Sequence, residues 1–180
     1  LATAPDVFAA TLLGCAAGNH AWFDAIAQKA ADAATPAVRA DVLARVIAGV
    51  QAAPEVENDL PRARLLARLL TRLFRAEIAQ LDGDVLRRLS QIDRDPARVV
   101  AAILASARPD GARLVDVAAL AQSTNPELRA AGISLFAQRP LDDLVADLDA
   151  VAAFLSADAK EPREAARPIA ERIGRERPDA

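Results

Sequence analysis

Residues 35–40, TPAVRA, and residues 125–130, NPELRA, share one pattern: a residue that can cap a helix, then proline, two variable positions, arginine and alanine. Both stretches are typical helix starts. The Thr or Asn side chain accepts hydrogen bonds from free amides of the first turn, and proline fits the first helical position because its missing N–H would have no partner there. Looser versions begin at Pro5, Pro96 and Pro162. The pattern predicts a series of helices that start at prolines.

The spacing of these prolines indicates a repeat. They lie 31, 60, 30 and 36 residues apart, and 60 is about two periods, so a unit of two helices recurs every 30 to 36 residues. We expect the helices of residues 5–17 and 20–34, 96–107 and 112–122, and 126–137 and 141–155 to form pairs. Between them we expect helices over residues 36–52, 60–80 and 84–92. A last helix begins at Pro162, and Pro168 should kink it or delay its start.

The composition favours helices and excludes a β-sandwich. The 180 residues are 53% hydrophobic but only 3% aromatic, and 45 of them are alanine. Alanine and leucine are among the strongest helix formers, whereas the aromatic residues that strands favour are scarce, with no Tyr, one Trp and five Phe. No Gly/Ser-rich linker or low-complexity tract divides the sequence. We therefore expect one all-α domain over residues 1–180.

The charge and cysteine content limit the partners and the cellular compartment that we expect. The formal charge of −3 provides no global attraction to nucleic acid or anionic membranes. The single cysteine, Cys15, forms no internal disulfide, and the longest apolar run, residues 99–107, is too short to span a bilayer. We expect a cytoplasmic protein without membrane insertion and with no cofactor or metal, since it has one His and no Gly-rich phosphate loop. Because the chain starts at Leu1 and contains no Met, we expect it to be a fragment or processed form of a longer chain.

Helix pairs of this length whose first helix opens Pro-x-x-Arg, as at Pro36 with Arg39 and Pro126 with Arg129, resemble HEAT repeats and their armadillo relatives. The resemblance is best over residues 96–173. It implies a right-handed α-solenoid of about five antiparallel helix pairs, with the second helices lining a concave face that binds another macromolecule. Tetratricopeptide repeats have a similar period but need a Trp/Tyr/Gly/Phe pattern that this chain, which has no Tyr, does not show.

The sharpest local feature is an arginine row, Arg64, Arg68, Arg72 and Arg75. At about 100° per residue these side chains fall within an arc of about 80° on one side of a helix. No acidic residue occurs over residues 61–76. Guanidinium groups bind carboxylates and phosphates through paired hydrogen bonds, so the row is a candidate site for an acidic partner or an anion. The alternative is a solvated face without a partner. The opposite side is apolar and carries Leu65, Leu66, Leu69, Leu70, Leu73 and Phe74.

The other candidate groups of residues are better explained by structural roles than by functional ones. Residues 141–180 have ten acidic and six basic side chains, which suggests a solvated acidic face or a surface for a basic partner. Their spacing does not form a metal-binding loop. Cys15, His20 and Asp24 contain the residue types of a nucleophile and base set, but Cys15 lies in an apolar helix and His20 follows a turn. Trp22 and Phe23 fit core packing better than an exposed anchor for a partner.

These features predict a non-enzymatic protein-binding scaffold that presents a helical-repeat surface, with the arginine row as the contact for a protein partner and an acidic partner as its candidate. One alternative is an enzyme subunit similar to HEAT-like bilin lyases, although no catalytic constellation supports it. Another is DNA binding similar to that of HEAT-like alkylpurine glycosylases. The charge of −3 and the five Phe with one Trp weaken this second alternative, so nucleic acid is not the expected partner.

Overall fold

The computed structural model describes residues 4–15, 21–52, 60–108 and 110–177, and these are built from helices and turns without any strand. The predicted all-α class is therefore confirmed for the described residues. A 3-10 turn, Gly111–Arg113, lies between the helix that ends at Ser106 and the helix that begins at Val117. The α-helices of the described residues are α1 (Pro5–Cys15), α2 (Ala21–Ala33), α3 (Pro36–Ala52), α4 (Leu60–Leu73), α5 (Arg75–Gln80), α6 (Gly83–Gln91), α7 (Asp95–Ser106), α8 (Val117–Gln122), α9 (Pro126–Ala137), α10 (Leu141–Val145), α11 (Leu148–Leu155) and α12 (Lys160–Glu176).

Local start signals place several of these helices as expected. The helices α3 and α9 begin at Pro36 and Pro126, which confirms the starts predicted from the two matching stretches. Asn125 caps α9 by accepting a hydrogen bond from the Glu127 amide at 2.9 Å. Asp116 similarly accepts from the Ala119 amide at the start of α8. These caps satisfy amides that have no partner inside the helix.

Two long predicted helices are interrupted. The helix expected over residues 60–80 breaks at Phe74, whose backbone leaves the helical conformation with φ −125° and ψ 33°. Its ring is fully buried, with its centroid 6.3 Å from that of Phe8. The helix expected over residues 141–155 divides into α10 and α11 because Asp147 leaves the helix and caps α11. The last helix, α12, starts at Lys160 and continues through Pro168, which removes one backbone hydrogen bond without ending it.

The pairing of the helices also differs from the prediction. The helix α8 packs mainly on α9, and α11 packs mainly on α12, instead of on the helices that precede them. Residues 123–125 link α8 to α9, and residues 156–159 link α11 to α12. The 3-10 turn lies between α7 and α8, and the short α10 lies between α9 and α11. Consecutive contacts connect α4 to α7, α7 to α9 and α9 to α12, while α8 contacts α11.

Small residues bring these helices close together. Ala101, Ala102 and Ala105 are completely buried in α7, which contacts α4, α6 and α9. A Cβ atom on Gly132 of α9 would lie 2.9 Å from the backbone nitrogen of Ala121, so α8 and α9 approach more closely than a larger side chain would allow. Four phenylalanine rings lie in the core: Phe8, Phe74, Phe136 and Phe154 are all fully buried.

Candidate functional site

The arginine row lies along the exposed side of α4 and continues at the first residue of α5. Arg64, Arg68, Arg72 and Arg75 are all exposed. The opposite side of α4 faces the core as predicted, except that Leu65 is 36% exposed because it borders the arginine side of the helix. The helix rises about 1.5 Å per residue, so the three arginines of α4 span about 12 Å along its axis. The buried residues on the opposite side are Leu66, Leu69, Leu70, Leu73 and Phe74.

A groove runs beside the row, bordered by α4, α7 and α9. Its first part has a volume of about 410 Å³ and its second part about 470 Å³. Arg68, Ile103 and Ser106 line both parts, so the two are continuous, and we call them together the α4–α9 groove. The first part is also lined by Arg64, Val99, Pro126, Glu127, Ala130, Ala131 and Ser134, and the second by Thr71, Arg72, Arg75 and Ala107.

The members of the row differ in the contacts that they make. Arg64 Nη1 donates a hydrogen bond to Glu127 Oε1 at 2.8 Å. Neither Arg68 nor Arg75 makes a hydrogen bond or ion pair with any residue that the structure describes. Thr71, which lies between the arginines, donates its hydroxyl proton to the Ala67 carbonyl at 2.9 Å. Two guanidinium groups at the groove are therefore available to an incoming acceptor.

This arrangement joins positive charge to a surface of apolar and small side chains. Ile103 and Ala131 are half-buried in the groove, and Ala130 is exposed. Arginine presents five donors in a planar fork that fits a carboxylate with two parallel hydrogen bonds. A carboxylate on an amphipathic segment would meet Arg68 or Arg75 while the apolar side of that segment contacts Ile103. The groove lining that the structure describes contains no Cys or His, and its carboxylate belongs to Glu127.

The acidic segment of residues 141–180 is largely engaged within the chain. Asp143 accepts from Arg113 Nε at 2.9 Å, and this hydrogen bond holds the pKa of the Asp143 carboxyl below its usual value. Asp147 accepts from Arg139 Nη1 at 2.8 Å, and Asp142 pairs with Arg177. These acidic side chains are thus satisfied by arginines of the same chain, which weakens the interpretation that they form a surface for a basic partner.

The remaining predicted candidates lie outside the described side chains. Cys15, Trp22, Phe23 and Asp24 belong to α1 and α2, but their side chains are not among those that the structure describes, and His20 lies between the described segments. Within the described ranges, no group of three or more His, Cys, Asp or Glu residues is arranged to hold a metal ion. None of the described helices is both long and apolar enough to cross a membrane.

Sequence reasoning missed the side of the groove opposite the row. Glu127, Ala130 and Ser134 come from α9, which is more than 50 residues from the row in sequence. Glu127 carried a weak signal, as an acidic residue in the first turn of a helix that starts with proline. Nothing in that signal connects it to Arg64, because the contact arises from the packing of α4 and α9 beside α7.

Comparison of the chain with protein-family models, with curated proteins and with solved structures finds no match.

Proposed function

We propose that this chain is a HEAT-like helical-repeat binding module that captures an acidic segment of a partner protein in the α4–α9 groove. The arginine row supplies the charge that recognises the segment, and the apolar lining of the groove supplies contact area. Affinity would come from a few anchors and association would be steered by the positive row, as in other charge-complementary interfaces. No chemical step is part of this proposal.

Two regularities support the repeat. Four of the described helices, α3, α7, α9 and α12, have arginine as their fourth residue. The contacts also recur along the chain, since α7, α9 and α12 touch in succession while α8 touches α11. Repetition of one start and one packing relation is expected of a helical array in which each unit contacts its neighbours.

The observation that carries the binding proposal is the lack of any partner for Arg68 and Arg75 among the described residues, although both border the groove. Like charges at i,i+4 spacing repel each other by a few tenths of a kcal/mol per pair. An acidic ligand would remove this repulsion and add charge-assisted hydrogen bonds. The row is therefore a surface that a negatively charged segment stabilises.

Capture of an acidic polymer tests the proposal. Fluorescein-labelled poly-L-glutamate is titrated with the chain, and its fluorescence anisotropy is followed in low and moderate salt. A row variant carries Arg64→Gln, Arg68→Gln, Arg72→Gln and Arg75→Gln. A control variant of identical net charge carries Arg88→Gln, Arg167→Gln, Arg172→Gln and Arg175→Gln, all at exposed positions outside the groove.

The row variant should bind at least about fourfold more weakly, since four exposed charges contribute about 0.2–1 kcal/mol each. The control variant should bind as the unchanged chain does, and circular dichroism should show equal helicity for all three proteins. Equal weakening of both variants would mean that only net charge matters and would contradict the site. Tighter binding of a short DNA duplex, lost in the row variant, would favour nucleic acid as the partner and contradict the proposed function.

A further inference from the structure

A second pocket of about 490 Å³ lies on another part of the chain, where α6, the start of α7 and α8 meet. Buried leucines form its apolar lining, namely Leu114, Leu120 and Leu128. Arg87, Arg98 and Arg113 also line the pocket, against a single carboxylate, that of Asp116. The lining is mixed, since seven of its twelve residues are polar or charged, and the volume lies within the usual range of small-molecule pockets.

Arg98 makes different contacts from the arginines that occupy the same position in three other helices. It is the fourth residue of α7, and the corresponding arginines of α3, α9 and α12 each donate to backbone carbonyls. Arg129 Nη1 donates to the carbonyl oxygens of Ser123 and Thr124 at 3.0 Å and 2.8 Å. Arg163 Nη1 donates to those of Ala157 and Asp158, six and five residues before it, at 2.5 Å and 2.6 Å.

The corresponding residue of α3 also has a carbonyl partner, since Arg39 Nη2 donates to the Leu73 carbonyl at 2.8 Å. The contact of Arg98 is much weaker: its Nη1 lies 4.0 Å from a carboxylate oxygen of Asp93, whose side chain is fully exposed. No carbonyl of the described residues accepts a hydrogen bond from Arg98. In α7 this side chain lines the pocket instead of donating to a carbonyl.

The two other arginines of the pocket are already paired. Arg113 donates from Nε to Asp143 at 2.9 Å, and Arg87 pairs with Asp84 on its own helix. Asp116 accepts the Ala119 amide at 2.9 Å as the cap of α8, so its carboxylate is engaged at the helix start. Among the pocket arginines, Arg98 is therefore the one whose guanidinium makes no hydrogen bond with any described residue.

We propose that this pocket binds a small organic anion that has an apolar body. The body contacts Leu114, Leu120 and Leu128, and its anionic group accepts hydrogen bonds from the Arg98 guanidinium. Arg87 reinforces the charge because an exposed pair within one helix, such as Arg87 with Asp84, is worth only a few tenths of a kcal/mol and separates easily. This site does not depend on the arginine row and does not rest on the proposed function.

The test uses two dyes that share one ring system, of which only one carries an anionic group. The probe 8-anilinonaphthalene-1-sulfonate carries a sulfonate, and N-phenyl-1-naphthylamine has the same ring system without it. Both fluoresce more strongly in apolar surroundings, so titration of the folded chain gives an affinity for each. We expect one site for the sulfonate dye, at least about tenfold weaker binding of the neutral dye, and displacement of the sulfonate dye by decanoate but not by decanol.

Three variants locate the site. Arg98→Gln should weaken binding of the sulfonate dye at least about tenfold and leave the neutral dye unchanged, and Arg98→Lys should restore part of the affinity. Arg88→Gln, on an exposed arginine outside the pocket lining, is the control and should change neither. Ala119→Leu fills the pocket from an exposed position of α8 and should abolish binding of both dyes without lowering the thermal midpoint.

Several outcomes would overturn the proposal. These are equal binding of the two dyes, equal affinity of the Arg98→Gln and Arg88→Gln variants, unchanged binding to Ala119→Leu, or no sulfonate-dye binding at millimolar concentration. Poly-L-glutamate binding separates this site from the groove, because Arg98→Gln should leave it unchanged. Failure of one site therefore does not imply failure of the other.

Discussion

Arg64 and Glu127 join α4 to α9 by a hydrogen bond of 2.8 Å between Nη1 and Oε1 at the α4–α9 groove. Their side chains are 44% and 33% exposed, so water competes for both groups and the pair adds little to stability. Glu127 nevertheless occupies the donor that an acidic ligand would use. The chain thus carries one carboxylate of its own at the site where we propose that a partner's carboxylates bind.

Removal of the Glu127 charge should strengthen binding. Glu127→Gln frees Arg64 and removes a negative charge from the groove, so the affinity for poly-L-glutamate should rise about two- to fivefold. The matched control is Glu171→Gln, which makes the same charge change at an exposed position of α12. Fluorescence anisotropy gives both affinities. An equal increase for the two variants, or weaker binding of Glu127→Gln, would contradict the role of Glu127 as an internal competitor.

Arg108 should be the arginine whose loss most affects stability. Its side chain is 9% exposed, and it donates to the carbonyls of Ile78 and Leu81 as well as to both carboxylate oxygens of Asp110 at 2.8 Å. Arg108→Ala removes the side-chain donor from the Leu81 carbonyl and from Asp110, and one of the two donors from the Ile78 carbonyl, which also accepts from the Leu81 amide. It should lower the free energy of unfolding by about 2–4 kcal/mol in urea titrations. The exposed Arg88→Ala variant should change it by less than about 0.5 kcal/mol, and similar values for the two would refute this role.

The pH dependence of stability follows from the same ion pairs. Hydrogen bonds from Arg108 and Arg113 hold the pKa of Asp110 and of Asp143 below the usual value. A carboxyl with a lower pKa in the folded state stabilises the fold fully above its unfolded pKa of about 3.9, and this stability is lost as the pH falls through the folded pKa. The free energy of unfolding should therefore be nearly constant from pH 7 to 5 and decrease below about pH 4.

Asp110→Asn tests the origin of that decrease. The variant should be less stable than the unchanged chain at pH 7, and the difference between the two should shrink as the pH falls to 3, because protonation removes the same charge from Asp110. Urea unfolding followed by circular dichroism at several pH values gives this comparison. A difference that stays constant with pH would mean that the Asp110 charge does not contribute.

Two glycines should respond in opposite ways to replacement by alanine. A Cβ on Gly111 would lie 1.8 Å from the Ala105 carbonyl oxygen, so Gly111→Ala forces the backbone apart and should cost about 3 kcal/mol or more. Gly174 lies within α12 and has no neighbouring atom within 4 Å of its Cβ position, so Gly174→Ala should stabilise the fold by about 0.5–1 kcal/mol. Thermal unfolding of both variants checks the prediction, and equal midpoints would contradict it.

The sequence predicted those parts of the fold that depend on local signals. The helix starts at Pro36 and Pro126 were predictable because a cap and a proline act within a single turn. The buried and exposed sides of α4 were predictable from helical spacing. The break at Phe74 was not predicted, because no local signal marks it, and the position of its ring near Phe8 depends on residues that are distant in sequence.

The candidate site was likewise predictable only in part from the sequence. The arginine row follows from residue spacing within one helix, but its groove needs α7 and α9, and which helices pack together is decided by contacts between distant residues. The predicted pairing was wrong for α8, which packs mainly on α9 where Gly132 allows a close approach to Ala121. The sequence did not predict the pocket at Arg98 either. Arg98 and Arg129 are both the fourth residue of their helices, and only the structure shows that their partners differ.

The most direct test of the central claim is a titration of the ¹⁵N-labelled chain with poly-L-glutamate, followed through the arginine Nε–Hε signals in nuclear magnetic resonance spectra. A chain of 19.0 kDa is well suited to this measurement. If the α4–α9 groove binds acidic segments, the signals of Arg68 and Arg75 should shift at the lowest concentrations, while those of Arg88 and Arg167 stay in place. Shifts of equal size at Arg88 and Arg167 would show binding by charge alone and would contradict the account.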